Sequence, residues 1–116
     1  MGSFSFPKSA RILNRADYVN VNRSGRRIHS RHFIIIFKPN GLGITRLGVV
    51  ISKKTGNAVK RNRVKRLIRE LFRLNTSRFP QGYDIVIAAK KGASHLDLRK
   101  IKTEIGEIIF DKPPFI

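Results

Sequence analysis

Cysteine and tryptophan are both absent from this 116-residue chain, and methionine occurs once. Without cysteine there is no disulfide framework and no thiolate metal site, which suits a cytoplasmic setting. Acidic residues are scarce too: seven Asp and Glu stand against 25 Lys and Arg, for a formal net charge of +18. A metal-dependent nuclease gathers several carboxylates around its ions. Asp17, Glu70, Asp84, Asp97, Glu104, Glu107 and Asp111 show no such grouping along the chain. Glu104 and Glu107 can share a helix face at i, i+3, the ordinary pattern of a solvated face. His29, His32 and His95 lack the i, i+4 spacing of paired metal ligands. For His29 and His32, beside an arginine cluster, surface exposure is the first expectation and phosphate contact the second. No Ser or Thr has a convincing base partner, so no protein active site is expected. Long apolar runs are missing as well. Nothing approaches the roughly 20 residues of a spanning helix, and the opening MGSFSFPKSAR has no continuous apolar stretch of the kind a secretory signal needs.

What is present is positive charge on a chain that can still fold. A hydrophobic fraction of 41% argues against a disordered basic tail, and the length suits one domain spanning 1–116. The charge implies a polyanionic partner, with nucleic acid ahead of an anionic membrane. It falls in clusters: Arg11, Arg15, Arg23, Arg26, Arg27 and Arg31; then Lys53 to Arg73; then Lys90, Lys91, Arg99, Lys100 and Lys102. The middle segment, KKTGNAVKRNRVKRLIRELFR, is the most informative. Val64, Leu67, Ile68, Leu71 and Phe72 recur at i, i+3, i+4, i+7 and i+8, one face of a helix. Asn62, Arg66, Arg69 and Arg73 then point the opposite way, with Lys65 at the flank. Like charges at that spacing repel by a few tenths of a kcal/mol per pair, and a polyanion relieves the repulsion. Gly56-Asn57-Ala58 places helix N-terminal amides beside Lys53 and Lys54, an anion site in waiting, although turn and close-packing roles suit the glycines of this region better.

The remaining pattern predicts an α+β fold. Residues 1–10 read as an irregular arm and 111–116 as an irregular tail after Pro113-Pro114. Asn14 caps a short helix over Arg15 to Asn22, stopped at Ser24-Gly25. Arg26 to Lys38 holds the run FIIIF, a strand covered on both faces. Leu47 to Ile51 is a second buried strand. The basic helix starts near Asn57 and ends around Leu74 to Ser77. Tyr83 to Ala89 is a third strand, and Ser94 is a candidate cap for a last helix with the stripe Leu98, Ile101, Ile105, Ile108 and Ile109. Ile34 and Ile36 share one strand face, and Phe33, Ile35 and Phe37 share the other, as core.

Read as a unit, KKTGNAVKRNRVKRLIRELF closely resembles the protein subunit of bacterial ribonuclease P, a family marked by an RNR helix that follows a strand ending in lysines. Arg61-Asn62-Arg63 with Lys65, Arg66 and Arg69 carry the match. Arg11-Ile12, Asp17-Tyr18, Val21 and Ser24-Gly25 resemble the family's first helix. The strand His32 to Phe37, the segment LGVVISKK and the strand Gly82 to Val86 follow in the family's order. The resemblance spans roughly residues 11 to 110.

The resemblance implies an α/β sandwich with three helices, a mostly antiparallel central sheet and a left-handed βαβ crossover before the RNR helix, against the usual hand. It implies a cytoplasmic RNA-binding subunit of an endoribonuclease, a monomer in a one-to-one complex with a catalytic RNA that removes the 5′ leader of precursor tRNA. Magnesium would be bound mainly by the RNA, with none held by protein side chains alone. The RNA-binding positions it implies are Lys53, Lys54, Asn57, Lys60, Arg61, Asn62, Arg63, Lys65, Arg66, Arg69, Lys90 and Lys91. The family's leader cleft falls on Tyr18, Asn22, Ile34 and Ile36. Asn22 and Ile36 depart from the aromatic residues often found there and cannot stack a base as a ring does. Two other readings of the basic composition stand beside this one: a structural binder of ribosomal or other RNA, and a protein-only nuclease, which the carboxylate inventory disfavours.

Overall fold

The computed structural model describes residues 10–12 and 14–110; the expected arm and tail lie, apart from Ala10, outside them. The elements are α1 (Arg15–Ser24), β1 (Arg26–His29), β2 (Phe33–Pro39), β3 (Arg46–Ile51), α2 (Ala58–Leu74), β4 (Tyr83–Ala89) and α3 (Leu98–Ile109). The strands form one sheet in the order β1-β2-β4-β3. β1–β2 and β2–β4 are antiparallel, and β3–β4 is parallel, with α2 carrying the chain between those two neighbours. This is the expected α+β arrangement with a mostly antiparallel sheet.

Local chemistry explains the boundaries. Asn14 caps α1 as expected, its Oδ1 accepting from the Asp17 amide at 2.9 Å. The helix continues two residues past Asn22 and stops at Gly25, where a Cβ would lie 2.5 Å from the Val21 carbonyl oxygen. Asn57 Oδ1 accepts from the Lys60 amide at 3.0 Å and opens α2. The expected strand at Phe33 to Phe37 is β2, and β1 ahead of it is not among the expected strands; the two form a hairpin closed by the Ser30 amide donating to Phe33 O at 2.8 Å. The segment RRIHSRH carries no Gly or Pro to announce that turn. Ser94 does not cap α3. It sits in a 3-10 turn, Ala93–His95, and Asp97 is the cap, accepting from the Lys100 amide at 2.9 Å.

The core sits on one face of the sheet. Val64, Ile68, Leu71 and Phe72 of α2 and Ile101, Ile105 and Ile109 of α3 pack on Phe33, Ile35, Phe37, Leu47, Val49, Ile85 and Ile87. Leu67, expected on the buried stripe, is only half-buried at its edge. The other face carries a smaller cluster of Ile12, Val21, Ile36 and Val86 under α1, with Tyr18 and Ile34 against it. The run Phe33–Phe37 is therefore covered on both sides, though unevenly.

Candidate nucleic-acid interface

Strand register divides the α1 face of the sheet into three rows. The first is Arg46, Asp84 and Lys38; the second is Gly48, Val86, Ile36 and Arg27; the third is Val50, Ala88, Ile34 and His29. α1 lies across the sheet along the second row. Its underside brings the Tyr18 ring over Gly48, where a Cβ would meet ring atoms at 2.7–2.8 Å. Val21 packs with Ile36 and Val86. The edge of α1 formed by Asp17, Asn20 and Ser24 is pinned to the first row. Arg46 Nε and Nη2 fork onto the Asp84 carboxylate at 2.8 and 2.6 Å, while its Nη1 reaches Asp17 Oδ2 at 3.3 Å. The hydrogen bond to Asp84 raises the Arg46 pKa, with desolvation opposing it and the charges of Asp84 and Asp17 adding to it. Lys38 Nζ donates to Asn20 Oδ1 at 3.1 Å and to Ser24 Oγ at 2.8 Å.

The opposite edge of α1, carrying Arg15, Val19 and Asn22, overhangs the third row without covering it. A hollow of about 500 Å³ remains there, lined by Arg15, Tyr18, Val19, Asn22, Arg27, Ile36, Val50, Val86 and Ala88. Of the four expected cleft residues, Tyr18, Asn22 and Ile36 line it; half-buried Ile34 lies in the same row as Ala88, beside the lining. Sequence reading missed Arg15, Val19, Arg27, Val50, Val86 and Ala88. Alternation within LGVVI and YDIVIAA could have placed Val50 and Ala88 on one face each, but only the pairing register makes them neighbours.

The cationic surface begins two to three residues further along. Ile51 and Ala89 are partners in the parallel pair β3–β4, so Lys53-Lys54 and Lys90-Lys91 leave the sheet at the same end. The turn bearing Lys53 and Lys54 is held by buried Thr55, whose Oγ1 reaches Ala89 O at 3.5 Å. Gly56 follows with φ +148°, and a Cβ there would strike the Lys60 side chain at 2.9 Å. Lys53, Lys54, Asn57, Lys60, Asn62, Arg66, Arg69 and Lys91 are exposed. A second hollow, of about 410 Å³, lies beside α2 between Arg11 and the residues Asn62, Lys65, Arg66, Arg69, Glu70 and Arg73.

Two of the expected RNA-binding cations, Arg63 and Lys90, have partners within the fold, as does Arg73 further along α2. Arg63 Nη1 donates to Ser94 O and Leu96 O at 3.1 and 2.9 Å, tying α2 to the turn before α3. Lys90 Nζ donates to Ser30 O at 2.7 Å, buttressing the β1–β2 turn. Arg73 pairs with Glu70 at 2.5 Å, and this hydrogen bond holds the Glu70 carboxyl below its ordinary value. Arg61 is half-buried, and its Nε has no hydrogen-bond partner among the described residues.

Glu104 corrects the expectation of a solvated face. It accepts from the Ser30 hydroxyl and, at 2.6 Å, from the His32 amide, and its Oε1 lies 2.7 Å from His32 Nδ1. Burial pushes the Glu104 carboxyl up, but the hydrogen bonds from Ser30 and His32 prevail and leave it below its ordinary value. His32 is thus a structural partner of α3, while His29 and His95 are exposed. Among the described residues no three His, Asp or Glu side chains converge as a metal site would require. No helix among them is long and apolar enough to cross a membrane.

Comparison with known proteins bears on this geometry. The family model described as Ribonuclease P matches residues 6–112. The ribonuclease P protein component of Desulforapulum autotrophicum is 44% identical over 108 residues, 93% of this chain and 92% of that protein. That of Syntrophus aciditrophicus is 43% identical over 113 residues, 97% and 95% of the two chains. Among solved structures, the RNase P protein from Thermotoga maritima superposes with a TM-score of 0.79 at 31% identity, covering 85% of this chain and 94% of that one. The Staphylococcus aureus RNase P protein gives 0.79 at 33%, covering 86% and 92%.

Proposed function

The chain belongs to the bacterial ribonuclease P protein family, components of a tRNA-processing endoribonuclease, and from that premise we propose that it docks on the catalytic RNA through α2 while holding the precursor's 5′ leader across the uncovered sheet row. The observation that carries this reading is the adjacency of two surfaces. The open hollow ends at Val50 and Ala88, and the lysine pairs begin three and two residues later, on the same end of the sheet. A single strand lying in the hollow therefore leaves it beside the cations that face the RNA subunit.

Each surface suits its ligand. Lys53, Lys54 and Lys60 present exposed charge to phosphates around the amide end of α2, where the helix dipole adds to the attraction, and Arg66 and Arg69 extend that charge along the helix. The hollow offers aliphatic floor and one aromatic ring, Tyr18, to unstacked bases. The protein aligns the leader, and the RNA carries out the cleavage. Magnesium belongs mainly to the RNA in this scheme, because the protein's best-placed carboxylates are engaged: Asp17 and Asp84 by Arg46, Glu70 by Arg73, and Glu104 by Ser30 and His32. The working unit is one protein with one RNA in the cytoplasm.

The test is Tyr18→Ala in the complex reconstituted with a bacterial ribonuclease P RNA, in calcium to suppress cleavage. Leader contact gives a loss of about 1–3 kcal/mol for precursor tRNA and little change for mature tRNA. Equal losses for both ligands end the leader assignment. The plain RNA-binder reading predicts binding of the ribonuclease P RNA with no acceleration of 5′ cleavage once magnesium is restored.

A further inference from the structure

Asn22 stands where an aromatic ring would face the hollow, yet another planar group reaches the same place. Arg27 lies opposite Ile36 across the β1–β2 pair. Its Nη2 donates to Asn22 Oδ1 at 2.6 Å and to the Asn22 carbonyl at 3.4 Å. Both bonds use one nitrogen, so the guanidinium is tethered at a corner, with Nε and Nη1 left for other acceptors. Arg27 is exposed and lines the hollow together with Val19, Ile36 and Ala88. Arg15 lines it as well, and among the described residues no carboxylate does. An aliphatic floor flanked by cations suits a ligand with flat apolar faces and negative charge, which describes a nucleotide.

Resting on the leader reading above, we propose that Arg27 is a leader-binding residue, its guanidinium plane stacking on a nucleobase while its free Nη1 faces the adjoining phosphate, and that Asn22 is its positioning residue. Guanidinium planes serve as stacking surfaces for unpaired bases, and a tethered plane loses less freedom on binding than a free one. The pair thereby supplies, from β1, the flat surface that Asn22 cannot supply from α1. A lysine at 27 would keep the charge and lose the plane.

The experiment uses the reconstituted complex in calcium and precursor tRNAs carrying one abasic nucleotide at successive leader positions. With the wild-type protein, removal of the base over Arg27 weakens binding by roughly three- to thirtyfold. Arg27→Ala shows a comparable loss with the intact leader and no further loss at that abasic position. Arg27→Lys recovers part of the affinity and remains insensitive to the missing base. Asn22→Ala shows a smaller loss at the same position. Mature tRNA affinity and the melting temperature report whether each variant has folded. An Arg27→Ala complex as sensitive to every abasic position as the wild type overturns the assignment. So does an Arg27→Lys complex with the wild-type profile, which reduces Arg27 to a phosphate contact. Tyr18→Ala separates the two levels. If it still selectively weakens precursor binding, only the Arg27 assignment falls; if it does not, the leader reading falls with it.

Discussion

Gly48→Ala tests the packing on which the cleft depends. The new Cβ would sit 2.7 Å from Tyr18 Cε1 and 2.8 Å from Cζ and Oη, whereas carbon atoms rest at about 3.5–4.0 Å. The ring must therefore move by roughly 1 Å, given that spacing. It cannot carry the helix with it cheaply, because α1 is held by Arg46 and Lys38 on one edge and by fully buried Val21 beneath. The open direction is sideways, into the hollow of about 500 Å³. Overpacking costs about 1–3 kcal/mol, the escape route favours the lower half, and Ala in place of strand Gly returns about 0.5–1 kcal/mol. A net loss near 1 kcal/mol corresponds to a fall of about 4–8 °C in Tm for a domain of this size. Thermal and urea melts of Gly48→Ala, Tyr18→Ala and the double variant form a cycle. A coupling of about 1 kcal/mol is expected, the double variant escaping the clash. Precursor affinity should fall with the displaced ring while affinity for the RNA subunit holds. Additive effects, or a Gly48→Ala protein more stable than wild type, would refute the close approach of ring and strand.

Other variants probe other parts. Ile68→Ala, at a fully buried position, should cost about 2–5 kcal/mol in urea unfolding, and half-buried Leu67→Ala clearly less; the reverse order would mean that α2 is rotated about its axis. Arg66→Ala and Arg69→Ala should leave stability intact and flatten the log–log salt dependence of RNA-subunit binding by about 0.7–0.9 per lost phosphate contact, measured by titration at several salt concentrations. Arg63→Ala should instead lower Tm, since Ser94 O and Leu96 O lose their donor. Glu104 has a folded-state pKa below its ordinary value, so its stabilisation is complete above the unfolded-chain pKa of about 4.3 and is lost as pH falls through the lower folded value. The Tm gap between wild type and Glu104→Gln should accordingly be widest near neutral pH and narrow in acid; a gap that widens below pH 4 would contradict the Ser30–His32–Glu104 contact.

Much of this protein was legible in its residues because the signals are local. The period of Val64, Ile68, Leu71 and Phe72 sets the buried side of α2 and therefore the side on which Arg66 and Arg69 must lie. The caps at Asn14 and Asn57 act within three residues of themselves, and the alternation of Phe33 to Phe37 separates core from cleft without reference to any partner. The RNR helix carried the family resemblance for the same reason. Tertiary structure decided whatever depends on pairing across distance. The hairpin within Arg26 to Lys38 and the capping role of Asp97 rather than Ser94 depend on how neighbouring elements compete for the same chain. Spacing groups Arg63 with the other cations of α2, and only the fold brings the Ser94 and Leu96 carbonyls within its reach. Glu104 looked solvated until the β1–β2 turn, some 70 residues earlier, came to rest against it. The cleft is a matter of register: Val50, Val86, Ala88 and Ile36 become one floor, and Arg27 meets Asn22, only because hydrogen-bonded strands bring distant residues side by side. Periodicity tells each segment which face to bury, but which residues share that face is settled by the strand pairing of the folded sheet.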